Sequence, residues 1–196
     1  MKVIGIDPGT ASCGYGIVHE SDGRIRSVVY GWWRTPAKER PELRLKTIFD
    51  ALEWLGIDGI WLNPINTSPQ ADWGYDVADY EGIDPDFGTL ADLDRLIAEA
   101  GARGIRVLID LVPNHTSDRH PWFVDARSDR SAEHRDWYVW ADAKPDGSPP
   151  NNWRSSFGGP AWTWDEATGQ FYLHNFLAEQ PDLNWWNPDV GDAFDD

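Results

Sequence analysis

The strongest constraint on folding is a strand–helix–strand pattern running from Ile57 to Ile109. Ile57–Leu62 is an apolar run stopped by Asn63-Pro64, and Ile105–Ile109 is nearly all apolar. Between them, Thr89-Leu-Ala-Asp92 sets a capping pair ahead of Leu93, Leu96, Ile97 and Ala100, which recur at helical spacing and are expected to face inward. Gly104 follows the helix end. A strand without polar alternation is expected to be parallel and covered on both faces, and its crossover should be right-handed. The pattern predicts an α/β fold.

Upstream, the residues call for three more strands and a helix. Val3–Ile6 ends in the turn Asp7-Pro8-Gly9-Thr10, and Tyr15–Glu20 and Ile25–Trp33 flank a hairpin turn at Ser21-Asp22-Gly23. Pro41 suits a helix N-terminus, Leu43, Leu45, Ile48, Phe49, Leu52 and Leu55 keep helical spacing, and Gly56 closes that helix. Residues 63–88 read as a loop. Residues 113–187 carry little periodicity and many Pro, Gly and aromatic residues, as an irregular inserted subdomain would. Asn187-Pro188 opens a last helix.

Composition changes abruptly near Ala51–Gly56. Residues 1–51 balance at +2, whereas residues 52–196 balance at −18. So acidic a body repels phosphate backbones, which argues against nucleic acid as a partner; charge alone would read as a solubilising surface. A single cysteine, Cys13, excludes an internal disulfide framework. No apolar run reaches membrane-spanning length and the N-terminus lacks a signal-peptide apolar region, so no membrane partner and a cytoplasmic location are expected. The thirteen tryptophans often neighbour Asp, Asn or Gly in loops, where flat rings can stack on sugars.

From about residue 52 onward the motifs Asp72-Trp-Gly-Tyr75-Asp76, Asp110-Leu-Val-Pro-Asn114-His115 and Gln180-Pro-Asp-Leu-Asn184 follow in order. This text resembles the alpha-amylase superfamily of glycoside hydrolases, in its α-glucosidase and oligo-1,6-glucosidase branch. The resemblance implies part of a (β/α)8 (TIM) barrel with its site at the strand C-termini. It implies that Asp72 holds non-reducing-end hydroxyls, Tyr75 stacks under the sugar ring, His115 donates to hydroxyls and Phe176 forms an apolar wall. Asp110 and Asn114 would shape the loop. Taken alone, His115 would read as a buried, hydrogen-bonded core histidine. The substrate implied is an α-glucosidic oligosaccharide, α-1,4 or α-1,6, with no cofactor. In that family the nucleophile aspartate, the acid/base glutamate and a third aspartate lie on later strands. None has a counterpart in these 196 residues. Retaining cleavage needs two flanking carboxyls, so the expectation is binding without turnover.

The first fifty residues, with IGIDPGT, GYGIV and YGWWRTPAKERPELRLKTIFDAL, resemble the N-terminus of RuvC-type Holliday-junction resolvases, which have an RNase-H-like fold. By that resemblance Asp7 would be a Mg2+-binding carboxylate; by itself it would read as a strand-ending cap of its turn. The strand after the helix should end in a second catalytic glutamate, and Asn63 stands there instead.

The expected organisation is therefore an RNase-H-like meander and helix (1–51), a partial barrel segment (52–112), the aromatic subdomain (113–187) and the start of a helix (188–196). An open sheet with exposed edges should result, carrying a loosely held aromatic subdomain. Three functions remain open: a glycosidase-like domain that acts on or only binds sugar, a Mg2+-dependent nuclease for branched DNA, and a chimeric fusion product without activity.

Overall fold

The computed structural model describes residues 2–8, 12–34, 50, 52–53 and 56–195. The chain divides into two compact units, residues 1–65 with 85–110 and residues 66–84 with 111–196.

The first unit is built on a five-stranded mixed sheet. Strands β1 (Lys2–Pro8), β2 (Ser12–Ser21) and β3 (Arg24–Arg34) form an antiparallel meander. Asp22 and Gly23 both take positive φ, 55° and 68°, which matches the right-handed twist of a tight hairpin. Gly31 lies opposite Tyr15, and a Cβ there would fall 2.9 Å from the Tyr15 hydroxyl. On the other side β1 runs parallel to β4 (Gly59–Leu62), and β4 parallel to β7 (Arg106–Ile109), for an order β3-β2-β1-β4-β7. Helix α1 (Leu90–Ala102) connects β4 to β7 and begins with the expected capping box between Thr89 and Asp92.

The core of this unit is Ile4, Ile17, Leu52, Ile57, Ile60, Ala100 and Ile105. Two expectations need correction. Of the four helix positions expected inward, Ala100 is buried and Leu96 packs half-buried against the core, whereas Ile97 is 45% exposed. β7 is not covered on both faces, since Leu108 and Ile109 are also exposed. It is the outer strand of its sheet, so nothing in that sheet lies beyond it. Most of the helix expected from Pro41, and the Gly9-Thr10 turn, lie outside the described residues; Asp50, Leu52 and Glu53 are helical.

The second unit is more ordered than its composition suggested. The expected loop contains a small hairpin, β5 (Asn66–Thr67) and β6 (Asp79–Ile83). After it come helix α2 (Pro121–Ala126) and a sheet of β8 (Trp140–Ala141), β10 (Gln170–Leu173) and β9 (Trp162–Asp165). Helix α3 (Pro188–Asp195) follows Asn187 as expected. Rings supply the core: Phe123 packs edge-on against Tyr138 and Tyr172 and stacks on Trp140. Aromatic packing between short strands leaves no helical or alternating pattern to read, which is why the sequence looked irregular here.

Candidate functional site

The candidate sugar site is assembled within the second unit. Its base is Asp76, which is fully buried. The Asp76 carboxylate accepts hydrogen bonds from Ser68 Oγ, Ala71 N and Asp72 N, each at 2.9 Å. Those bonds curl residues 68–76 into a tight loop in which Gln70 and Trp73 hold positive φ of 64° and 52°. Trp73 is also 89% exposed. Non-glycine residues enter that region at a cost, which here is offset by bonds to a buried carboxylate.

The loop delivers Asp72 to Gln180. The Gln180 side chain is buried; its Oε1 accepts from Leu177 N at 2.9 Å and its Nε2 donates to Asp72 Oδ2 at 2.9 Å. The same Nε2 lies 3.1 Å from His115 Nε2, and His115 Nε2 lies 3.1 Å from the Tyr75 carbonyl oxygen. Asp72, Tyr75 and His115 are therefore gathered around one amide and one backbone carbonyl. Phe176 completes the group, its ring 5.2 Å from that of His115. Burial lowers the pKa of His115, so its imidazole is neutral near pH 7.

His115 is held from behind. Asn114 Nδ2 lies 3.1 Å from His115 Nδ1 and donates to Asp182 Oδ1 at 3.1 Å. Asp182 is buried and also accepts from Asn175 N at 2.9 Å and from Asn175 Nδ2. Burial pushes its carboxyl up to about 6. Tyr80 Oη contacts the carbonyls of Val112 and His115, both at 2.8 Å, tying β6 to the His115 segment.

Asp72, Tyr75, His115, Asn114 and Phe176 thus fall in one cluster. Asp110 directly follows β7 in the first unit, where its N–H donates to the Leu62 carbonyl at 3.0 Å. Gln180, Asp76 and Asp182 stand inside the motifs already singled out, yet nothing in their spacing marked them as the groups that connect those motifs. Phe157, whose ring is 5.7 Å from Phe176, carried no signal. It lines a cavity of about 330 Å3 with Trp162, Thr163, His174 and Phe176. Thr163 and His174 there bond to each other, and His174 Nδ1 also meets the Phe176 carbonyl, so those polar groups are committed within the protein.

β1 pairs with β4 from Val3–Gly59 to Gly5–Trp61, and Asp7 and Asn63 both lie beyond the last of those pairs. Asn63, which stands where the resolvase order calls for a glutamate, is a neutral amide and brings no charge to a cation. Among the described residues no three His, Cys, Asp or Glu side chains form a metal cluster; the Asp7 side chain lies outside them.

A partial α/β sheet with a carbohydrate-like loop cluster defines the class, and comparison with known proteins gives the family. The alpha amylase catalytic-domain family matches residues 45–196, and the chain belongs to that family. The family of the crossover junction endodeoxyribonuclease RuvC matches residues 3–58. The chain is 64% identical over 139 residues to a probable alpha-glucosidase of Rhizobium meliloti (strain 1021), covering 71% of this chain and 25% of that protein. It is 56% identical over 149 residues to the oligo-1,6-glucosidase of Heyndrickxia coagulans, covering 74% and 27%. Among solved structures, the alpha-glucosyl transfer enzyme XgtA superposes with a TM-score of 0.75 at 52% identity, over 77% of this chain and 28% of that one. The chain spans about a quarter of the length of the curated relatives it matches. Its fold is accordingly a part of the (β/α)8 glycosidase fold, preceded by the β1–β3 meander.

Proposed function

We propose that this chain is a segment of an α-glucosidase-like catalytic domain that binds the terminal glucose of α-glucosidic oligosaccharides and, as these 196 residues stand, does not cleave them. The observation that carries it is the gathering of Asp72 and His115 around the buried Gln180 amide, whose Nε2 donates to Asp72 Oδ2 at 2.9 Å and lies 3.1 Å from His115 Nε2. A carboxylate and a neutral imidazole set beside one buried amide suit a polyol, whose hydroxyls both donate and accept. Asp72 accepts from two hydroxyls, His115 donates to one, Tyr75 stacks under the ring and Phe176 closes the apolar side. Asn114 shapes the loop behind them, and Asp110 is assigned a structural role.

Cleavage with retention needs a nucleophile and an acid/base carboxyl about 5 Å apart. The carboxylates of this cluster are committed otherwise: Asp72 to Gln180, Asp76 to three donors and Asp182 to the two asparagines. Titration calorimetry with maltose and isomaltose tests the binding. Heat should appear with the intact chain and vanish in an Asp72→Ala/His115→Ala double variant. Equal heats in both would end the proposal. Glucose released by the intact chain at a rate above buffer would overturn the claim of inactivity.

The two family matches share residues 45–58, and β1 pairs in parallel with β4 across that region. This supports a chimera in which a RuvC-like segment (1–51) is joined to a barrel segment (52–112), followed by the aromatic subdomain (113–187) and a helix start (188–196). A cytoplasmic location, no membrane partner and no cofactor go with the sugar reading. The nuclease alternative, supported by the RuvC match, would require Mg2+ at Asp7 and junction cleavage that disappears in Asp7→Asn. With Asn63 standing in the sequence where the resolvase order calls for a second catalytic glutamate, no cleavage is expected, and a chimera that also fails to bind sugar would be a fusion without biochemical function.

A further inference from the structure

We propose that Asp182 is a positioning residue: acting through Asn114, it fixes which ring nitrogen of His115 carries the proton. The inference deepens the sugar-site proposal and rests on it for its functional consequence.

The chain of donors and acceptors allows one arrangement with the fewest conflicts. An ionised carboxylate only accepts, so the Asn114 side-chain atom 3.1 Å from Asp182 Oδ1 is its NH2 group. That NH2 group carries a second hydrogen and lies 3.1 Å from His115 Nδ1. His115 Nδ1 must then present a lone pair, which leaves the proton on Nε2. The Tyr75 carbonyl, which can only accept, stands 3.1 Å from that Nε2 and takes its hydrogen. The tautomer is thus assigned from its neighbours at both ends.

The opposite tautomer fails twice. A proton on Nδ1 would face the Asn114 NH2 group, and a bare Nε2 would face the Tyr75 carbonyl. Its one gain would be a bond from Gln180 Nε2, 3.1 Å from the ring. Gln180 does not need that bond, since its Nε2 already donates to Asp72 and its Oε1 is held by Leu177 N. Two mismatches outweigh one.

Backbone geometry supports the relay. His115 and Asp182 form an antiparallel bridge, and Leu183 N donates to the Asn114 carbonyl at 3.0 Å. Asp182 N donates to the Leu173 carbonyl at 2.9 Å. The carboxylate therefore sits at a fixed point against the Asn114–His115 pair. The consequence is directional: the N–H of His115 lies beside Tyr75 and Asp72, where a sugar hydroxyl competes with the Tyr75 carbonyl for it.

The test reads His115 by long-range 1H–15N correlation on the full chain at pH 7.5 without sugar, with His115→Gln assigning the signals. The wild type should show a pyrrole-type Nε2 and a pyridine-type Nδ1. Asp182→Ala frees the Asn114 amide to turn, so the two nitrogens should shift toward averaged values. Asp182→Asn keeps an acceptor for Asn114 and should retain the wild-type pattern. A proton on Nδ1 in the wild type, or an unchanged pattern in a folded Asp182→Ala, overturns the proposal. The wild-type spectrum decides even if Asp182→Ala does not fold. Maltose titrations then form a separate arm: affinity should fall about tenfold in Asp182→Ala, equivalent to about 1.4 kcal/mol, and recover in Asp182→Asn. Absence of maltose heat in the wild type would defeat the sugar site while leaving the ring assignment to the spectra.

Discussion

Asp76 builds the loop that carries Asp72: its Oδ1 accepts the Asp72 backbone N–H at 2.9 Å from four residues away, while both its oxygens hold further donors. The two carboxylates share a motif but have opposite roles. Asp76 is wholly buried and committed to Ser68, Ala71 and Asp72; Asp72 is half-buried and meets Gln180. A loop with two non-glycine residues at positive φ needs such an anchor.

Removing the anchor should therefore cost both stability and binding. Asp76→Ala leaves two backbone N–H groups and a hydroxyl without their acceptor, and the expected loss is about 3 kcal/mol. Urea unfolding of the second unit would measure it, and maltose heat should fall in parallel. Asp72→Ala should lose the heat with a change in unfolding of under about 1 kcal/mol, because Asp72 accepts one side-chain bond at a partly open position. Equal destabilisation by both would show that the division of roles is wrong.

Asp182 predicts an unusual pH response. Burial raises its carboxyl from the ordinary aspartate range to about 6. A group whose folded value lies above its unfolded one contributes stability that is fully present below the unfolded value and is lost as pH rises through the folded value. Between pH 4 and pH 6 the wild type should therefore lose about 3 kcal/mol relative to Asp182→Asn, the order of magnitude set by a carboxyl raised that far. Parallel stability curves for the two proteins across that range would contradict it.

His120 should act in the opposite sense over the same window. It is buried beside Tyr80 and Trp122, and its Nδ1 accepts from Trp122 N at 3.2 Å to cap α2. Burial pushes its pKa down to about 4. The stability it contributes is complete above its unfolded value near 6.5 and is lost as pH falls toward 4. The His120→Asn variant keeps a cap acceptor without titrating there. From pH 6.5 to pH 4 the wild type should lose about 3 kcal/mol relative to it. A ring titration midpoint near 6.5 by NMR would refute the burial argument.

How much of this was legible depends on the kind of residue. The Thr89–Asp92 box, the Asp22-Gly23 hairpin and the β4–α1–β7 unit follow from local rules, and they appear where the residues place them. The burial of β7 was not legible, because whether an apolar strand is covered depends on neighbours that local sequence does not specify. Asp72, His115 and Phe176 were found through motif text. Gln180 was not assigned a role, since its importance lies in reaching across 108 residues to Asp72. Asp182 likewise acts through contacts with Asn114 and Asn175, segments 68 and 7 residues away. A buried polar relay is a property of where loops meet, and composition carries no trace of it.

The first unit carries a further liability that can be measured. β3 is the outer strand of the sheet, and among the described residues its apolar side chains stand in solvent: Tyr30 is 83% and Trp32 69% exposed. The two share one face of the strand, being two residues apart. An outer strand with free backbone groups and exposed rings is a template for pairing with another chain, and a lysine on such an edge opposes that pairing. Trp32→Lys should therefore lower concentration-dependent light scattering several-fold, and Tyr30→Lys should add to the effect. Neither substitution should change unfolding by more than about 0.5 kcal/mol, because both side chains are already hydrated. Scattering that stays the same in the double variant would show that self-association, where it occurs, does not run through β3.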